Sequence, residues 1–234
     1  MDKIIHGSDY STDYLRWLNK YQSKPNAPDE LEKLQNEIID SKDAALAYFF
    51  ALDLGHKTYR MQKVILDKKD AKYAFVFAQN IPNADIKALQ NIIVDSKKIK
   101  YITHFACFIK QSDRKSLEPI ILKSKNAKYA HMYMKYVKGA DINKFKQVII
   151  ESGKPRYLFE LAKHLSSKDD ISLIEDLIIE ANSFTYMRLF AEKIKGADLD
   201  KLEQAVLATD NGEEIKRFAK YVRKSKMKQF LLVM

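Results

Sequence analysis

The chain has 234 residues, of which 46% are hydrophobic and 31% charged, with only six Gly and five Pro. That mixture excludes collagenous, mucin-like and fully disordered polymers, and the length admits one sizeable core or two small domains. The 41 Lys and Arg against 31 Asp and Glu give +10 with neutral His, a balance that attracts nucleic acid, an anionic membrane or an acidic protein without choosing among them.

Only seven of the basic residues are Arg. Lys is a flexible point charge, whereas Arg supplies the planar fork used for reading bases, so the bias weighs against base recognition. The single cysteine, Cys107, excludes an intramolecular disulfide framework and a cysteine-cluster metal site. The start, MDKIIHGSDYSTDY, has no apolar signal core, and no segment approaches 18 uninterrupted apolar residues. A cytoplasmic protein with no membrane span is expected.

In chain order, residues 9–21 come first, with Tyr14, Leu15, Trp17, Leu18 and Tyr21 predicting a helix that caps the N-terminus. PNAPD at 25–29 then echoes PNAD at 82–85, placing Asp29 at the start of a helix that contains Leu31, Leu34, Ile38 and Ile39. From there the chain repeats itself. DIKALQNIIVDSKKIKYITHFA begins at Asp85, DRKSLEPIILKSKNAKYAHMYM at Asp113 and DINKFKQVIIESGKPRYLFELA at Asp141, and Asp170 and Asp198 continue the series at intervals of 28, 28, 29 and 28.

Three columns keep this register: the apolar residues Met61, Leu89, Leu117, Phe145, Ile174 and Leu202; Tyr73, Tyr101, Tyr129, Tyr157 and Tyr186; and Ala51, Ala78, Ala106, Met134, Ala162, Ala191 and Ala219. Such internal periodicity is the signature of a repeat architecture. Within the unit that starts at Asp141, Phe145, Val148 and Ile149 form one apolar stripe and Leu158, Leu161, Ala162 and Leu165 a second. Recurrence at i, i+3 and i+4 predicts two short helices per unit rather than strands.

The repeated Asp residues predict helix N-caps, since a short carboxylate satisfies orphan N–H groups and faces the positive helix end. Gly139 and Gly196 are expected to close the preceding helices in a left-handed conformation, and Ser96, Ser124 and Ser152 to satisfy helix ends. The expected organisation is a capping helix and linker over 1–28, about seven two-helix repeats over 29–224, and a C-terminal cap or tail over 225–234. The fold class is all-α: a right-handed α-solenoid or superhelix of short helical hairpins.

The repeat also orders the basic residues. Lys69, Lys97 and Lys125 share one position, with Lys42 near the same register; Lys72, Lys100, Lys128 and Arg156 each precede a Tyr of the aromatic column; Lys110, Lys138, Lys195 and Arg223 fall near the far ends of the second helices. These ladders are the candidate interaction residues. They suit a phosphate backbone or an acidic protein, and their competing role is to keep the outer faces of amphipathic helices solvated. The Tyr rings are expected to pack between helices rather than stack on bases.

His6, His56, His104, His131 and His164 form no metalloprotease spacing, and His104 beside Cys107 lacks further ligands. Cys107 reads as a small apolar filler. No nucleophile-elbow, kinase, P-loop, dinucleotide-binding or deaminase motif occurs. No enzyme activity, cofactor or metal is expected.

The segments YAHMYMKYVKGADINKF and YMRLFAEKIKGADLDKL resemble short α-helical repeats of bacterial and bacteriophage proteins and, more broadly, HEAT-like or armadillo-like solenoids, although a 28-residue unit is shorter than those classes use. The resemblance implies a rigid scaffold for macromolecular contact and carries over no catalytic residues. Two functions compete. One is a protein-binding modulator or inhibitor that occludes a partner's surface, such as a phage inhibitor of a host protein; the other is a basic solenoid that binds DNA or RNA through phosphates.

Overall fold

The computed structural model describes residues 28–54, 58–222 and 225–231. The expected capping helix over 9–21 lies outside them, as do Arg223, His6 and His56. Among the described residues all regular structure is helical: fourteen α-helices and one 3-10 helix, with no strand. They are α1 (Pro28–Ser41), α2 (Ala44–Leu54), α3 (Tyr59–Lys68), α4 (Ala71–Asn80), α5 (Ile86–Asp95), α6 (Ile99–Phe108), α7 (Arg114–Lys123), α8 (Ala127–Tyr136), α9 (Ile142–Glu151), α10 (Pro155–Ala162), α11 (Lys168–Glu180), α12 (Phe184–Lys193), α13 (Leu199–Leu207) and α14 (Gly212–Tyr221). Odd-numbered helices open a hairpin and even-numbered helices close it.

Local chemistry sets the helix boundaries. Asp85, Asp141 and Asp198 cap α5, α9 and α13, their carboxylates accepting backbone N–H bonds from Ala88, Asn143 and Lys201. Asp170 does not act in this way. The cap of α11 is Ser167, and Asp170 sits within the first turn, because this unit is one residue longer and its helix begins earlier. At the turns inside five of the seven hairpins, Ser41, Ser96, Ser124, Ser152 and Thr209 donate their hydroxyls to the carbonyl three residues back at 2.6–2.7 Å. In all seven turns one residue takes a left-handed conformation, at φ values from 48° to 59°, and is Lys42, Lys69, Lys97, Lys125, Gly153, Asn182 or Asp210.

The chain divides into two compact units, residues 1–118 and 119–234, and the division falls inside α7. In the first unit, opening helices pack on the next opening helices (α1 on α3, α3 on α5), and closing helices on the next closing helices (α2 on α4, α4 on α6). In the second, α8, α10, α12 and α14 follow one another in the same way. This consecutive nearest-neighbour packing is solenoid-like.

Each hairpin buries equivalent positions. Met61, Ile65, Leu89 and Ile93 fill the opening-helix side of the first unit, and Phe145, Ile149, Ile174 and Ile178 that of the second. On the closing helices the most enclosed large residues are Phe77, Phe105, Tyr133, Leu161, Phe190 and Phe218, one residue before the Ala column. Tyr133 stacks on Phe145 with ring centroids 4.9 Å apart. The Tyr73 column is only half-buried, so it edges the core and does not fill it. Met227, in the 3-10 helix Lys226–Leu231 that packs on α14, is also buried.

One buried polar column links successive opening helices. The Oε1 atoms of Gln62, Gln90, Glu175 and Glu203 accept the backbone N–H of Asp85, Asp113, Asp198 and Lys226, 23 residues ahead in every case, at 2.8–2.9 Å. Without them the N–H that leads into the next segment would be an orphan donor against the core. At the equivalent Lys146 the side chain instead pairs with Asp170, where the longer unit shifts the helix start. Gln90→Ala should therefore lower stability by about 1–3 kcal/mol in urea unfolding. An unchanged midpoint would show that water replaces the lost bond.

Among the described residues no helix is long and apolar enough to cross a membrane.

Candidate functional site

The three basic ladders fall at two places on the hairpins. Lys69, Lys97 and Lys125 are the left-handed residues that end α3, α5 and α7, and Lys72, Lys100, Lys128 and Arg156 are the second residues of α4, α6, α8 and α10. Only the N-cap and first helical residue separate them, so two ladders converge on the turns of the hairpins α3–α4, α5–α6 and α7–α8. Lys110, Lys138 and Lys195 lie beyond the other end of the closing helices, in the turns between hairpins. Ten residues of helix put the two ends about 15 Å apart.

All of these described basic residues are exposed. In the first unit, Lys72 and Lys100 lie over the rings of Tyr73 and Tyr101 at 5.2 and 5.5 Å; in the second, Lys128 and Arg156 lie over Tyr129 and Tyr157 at 5.7 and 5.9 Å. A cation over an aromatic face gains modestly from the ring quadrupole and covers its edge from water. The rings thus support charges and do not stand out as stacking platforms. Lys125 is 3.9 Å from Glu151, an exposed pair of little energetic weight.

The charges around these turns are uneven. In the first unit the sequence from the left-handed residue to the second helical residue is Lys42-Asp43-Ala44-Ala45, then Lys69-Asp70-Ala71-Lys72, then Lys97-Lys98-Ile99-Lys100. The second unit runs from Lys125-Asn126-Ala127-Lys128 and Gly153-Lys154-Pro155-Arg156 to Asn182-Ser183-Phe184-Thr185 and Asp210-Asn211-Gly212-Glu213. Asp70 and Asn126 cap their helices through side-chain oxygens, whereas Lys98 and Lys154 occupy the same position with no side-chain cap.

Among the described residues no other group assembles chemistry. Burial pushes the Cys107 thiol up to about 12, which Arg114 only partly opposes, so it is a poor nucleophile near neutrality. His104 places Nδ1 2.5 Å from the Lys100 carbonyl and its ring 5.8 Å from Phe75. Burial lowers the pKa of His131, whose ring lies 5.8 Å from Tyr157. Among the described residues no three His, Cys, Asp or Glu side chains are grouped to hold a metal ion. An open concavity of about 740 Å³ between α1 and α3 has mixed charge, from Asp40, Asp67, Lys42, Arg60, Lys63 and Lys68.

The Gln/Glu column is absent from the sequence-based expectations, although its signal lies in the chain: a polar residue directly follows the apolar column at Gln62, Gln90, Glu175 and Glu203. The chain matches no family model, no curated protein and no solved structure.

Proposed function

We propose that the chain is a non-catalytic protein-binding scaffold that uses the turns inside its hairpins to occlude an acidic surface of a partner. The convergence of two exposed basic ladders, Lys69 with Lys72 and Lys97 with Lys100 in the first unit and Lys125 with Lys128 in the second, carries this reading. The solenoid-like packing supplies rigidity: buried columns fix the spacing of the turns while outward residues vary freely. The resemblance to short bacterial and bacteriophage repeats agrees with a modulator or inhibitor. Rings held half-buried beneath Lys and Arg give bases no open stacking face, which favours an acidic protein over single-stranded nucleic acid.

Affinity capture from the native cell with the wild type, Lys72→Glu/Lys100→Glu and Lys128→Glu/Arg156→Glu tests this. Both variants should melt within about 2 °C of the wild type, because exposed charges contribute little to stability. A partner recovered with the wild type and lost with either variant supports the proposal. A partner that both variants retain removes the turns from the interface. Binding to duplex DNA at about 0.15 M salt that charge reversal abolishes would transfer the function to phosphate recognition.

A further inference from the structure

Within the first unit one turn departs twice from what its backbone favours. The left-handed position suits Gly, Asn or Asp, which the chain itself uses at Gly153, Asn182 and Asp210. In the first unit this position is Lys in all three turns, Lys42, Lys69 and Lys97, at φ 51°, 54° and 54°. At the third turn the N-cap is Lys98, which has no side-chain cap bond, where Asp70 in the preceding turn caps with two. Helix positivity is thereby increased at an end that favours negative charge. Lys42, Lys69 and Lys97 form no ion pair among the described residues. A segment that breaks local rules without an internal gain is where a protein commits stability to contact.

Resting on the scaffold function above, we propose that the first unit contacts an acidic protein surface chiefly through Lys97, Lys98 and Lys100, flanked by Lys69 and Lys72. Lys97 and Lys98 occupy backbone positions where Gly and Asp would be more stable, and the exchange leaves three cations in four residues without an intervening carboxylate. An Asp/Glu-rich face or segment is the matching chemistry. It supplies several carboxylates at once, and its charge replaces the missing cap.

The test uses the full chain with a fluorescent poly-L-glutamate peptide of about 20 residues, followed by anisotropy, and a duplex DNA of equal charge as the comparison. Lys97→Gly/Lys98→Asp restores the favoured residues and should raise the melting temperature by about 2–6 °C while weakening peptide binding about tenfold. Lys87→Ala/Lys115→Asp makes the same charge change at exposed positions elsewhere in the unit that belong to none of the basic ladders, and should leave binding within about twofold.

Equal loss in both variants would reduce the effect to net charge and overturn the proposal. Unchanged peptide binding in Lys97→Gly/Lys98→Asp would also overturn it. The scaffold function would still stand if Lys72→Glu/Lys100→Glu abolished binding, and would fall with it if that variant did not. Peptide binding that is absent while the DNA binds would exclude an acidic protein as the occupant.

Discussion

Leu161→Asp and Ile149→Asp should each unfold their part of the second unit at room temperature. Both side chains are fully enclosed, Leu161 on α10 and Ile149 on α9, and these helices pack on each other. An Asp at either place has no partner, and holding it unpaired in the core costs at least about 4 kcal/mol, against a total stability of roughly 5–15 kcal/mol. Because nearest-neighbour packing carries the fold, the damage should first uncouple adjacent hairpins and broaden the melt. Thermal denaturation followed by circular dichroism checks this, with Lys72→Glu/Lys100→Glu as the exposed comparison. A melt within about 2 °C of the wild type would show that these positions do not face the core.

Stability should also depend on pH through Glu175, in the opposite direction to ordinary acid denaturation. The residue is 1% exposed, and burial pushes its pKa from 4.5 up to about 7. The Asp198 N–H and Lys201 oppose that rise, while the charges of Asp198 and Asp176 add to it. Lys201 itself is held up by its contact with Asp176. Between pH 4.5 and 7 the folded chain keeps a proton that the unfolded chain releases. The contribution is therefore complete below the unfolded value and is lost as pH rises through the folded one.

At 1.36 kcal/mol per pH unit the loss is roughly 3 kcal/mol. Glu175→Gln keeps the acceptor for the Asp198 N–H and removes the charge, as Gln62 and Gln90 already do in the first unit. This variant should equal or exceed the wild type above pH 7 by about 2–3 kcal/mol and lose the extra slope between pH 4.5 and 7. Urea unfolding at pH 5 and about pH 8 measures the difference; parallel curves for the two proteins would show that Glu175 is not strained by burial.

Several features are legible in the amino-acid order because they are local or periodic. Asp85, Asp141 and Asp198 read as caps because an Asp ahead of an apolar stripe solves the same hydrogen-bond problem each time. Asp170 departs from that expectation because one inserted residue moves the helix start to Lys168, and only the backbone path decides which oxygen reaches an orphan N–H. The Tyr column is visible in the spacing, but its half-burial is not. Periodicity gives the direction of a side chain without the depth of the neighbour that covers it. The Gln/Glu column is hidden because its bonds span 23 residues, and polar residues on a helix read as solvent-facing until a second helix is placed over them.

The sequence by itself determined that the chain is built of short paired helices, where most of them begin and end, and which residues recur at each position. Those properties follow from 28-residue periodicity, apolar spacing and turn chemistry, all of which act within a few residues. Only the tertiary structure decided that the Lys69, Lys97 and Lys125 positions take a left-handed conformation, that the rings of Tyr73, Tyr101, Tyr129 and Tyr157 lie half-buried beneath the neighbouring Lys and Arg, and that Glu175 is buried. Each depends on backbone dihedrals or on contacts between successive repeats. Spacing along the chain gives the period of such contacts, and packing gives their depth and partners.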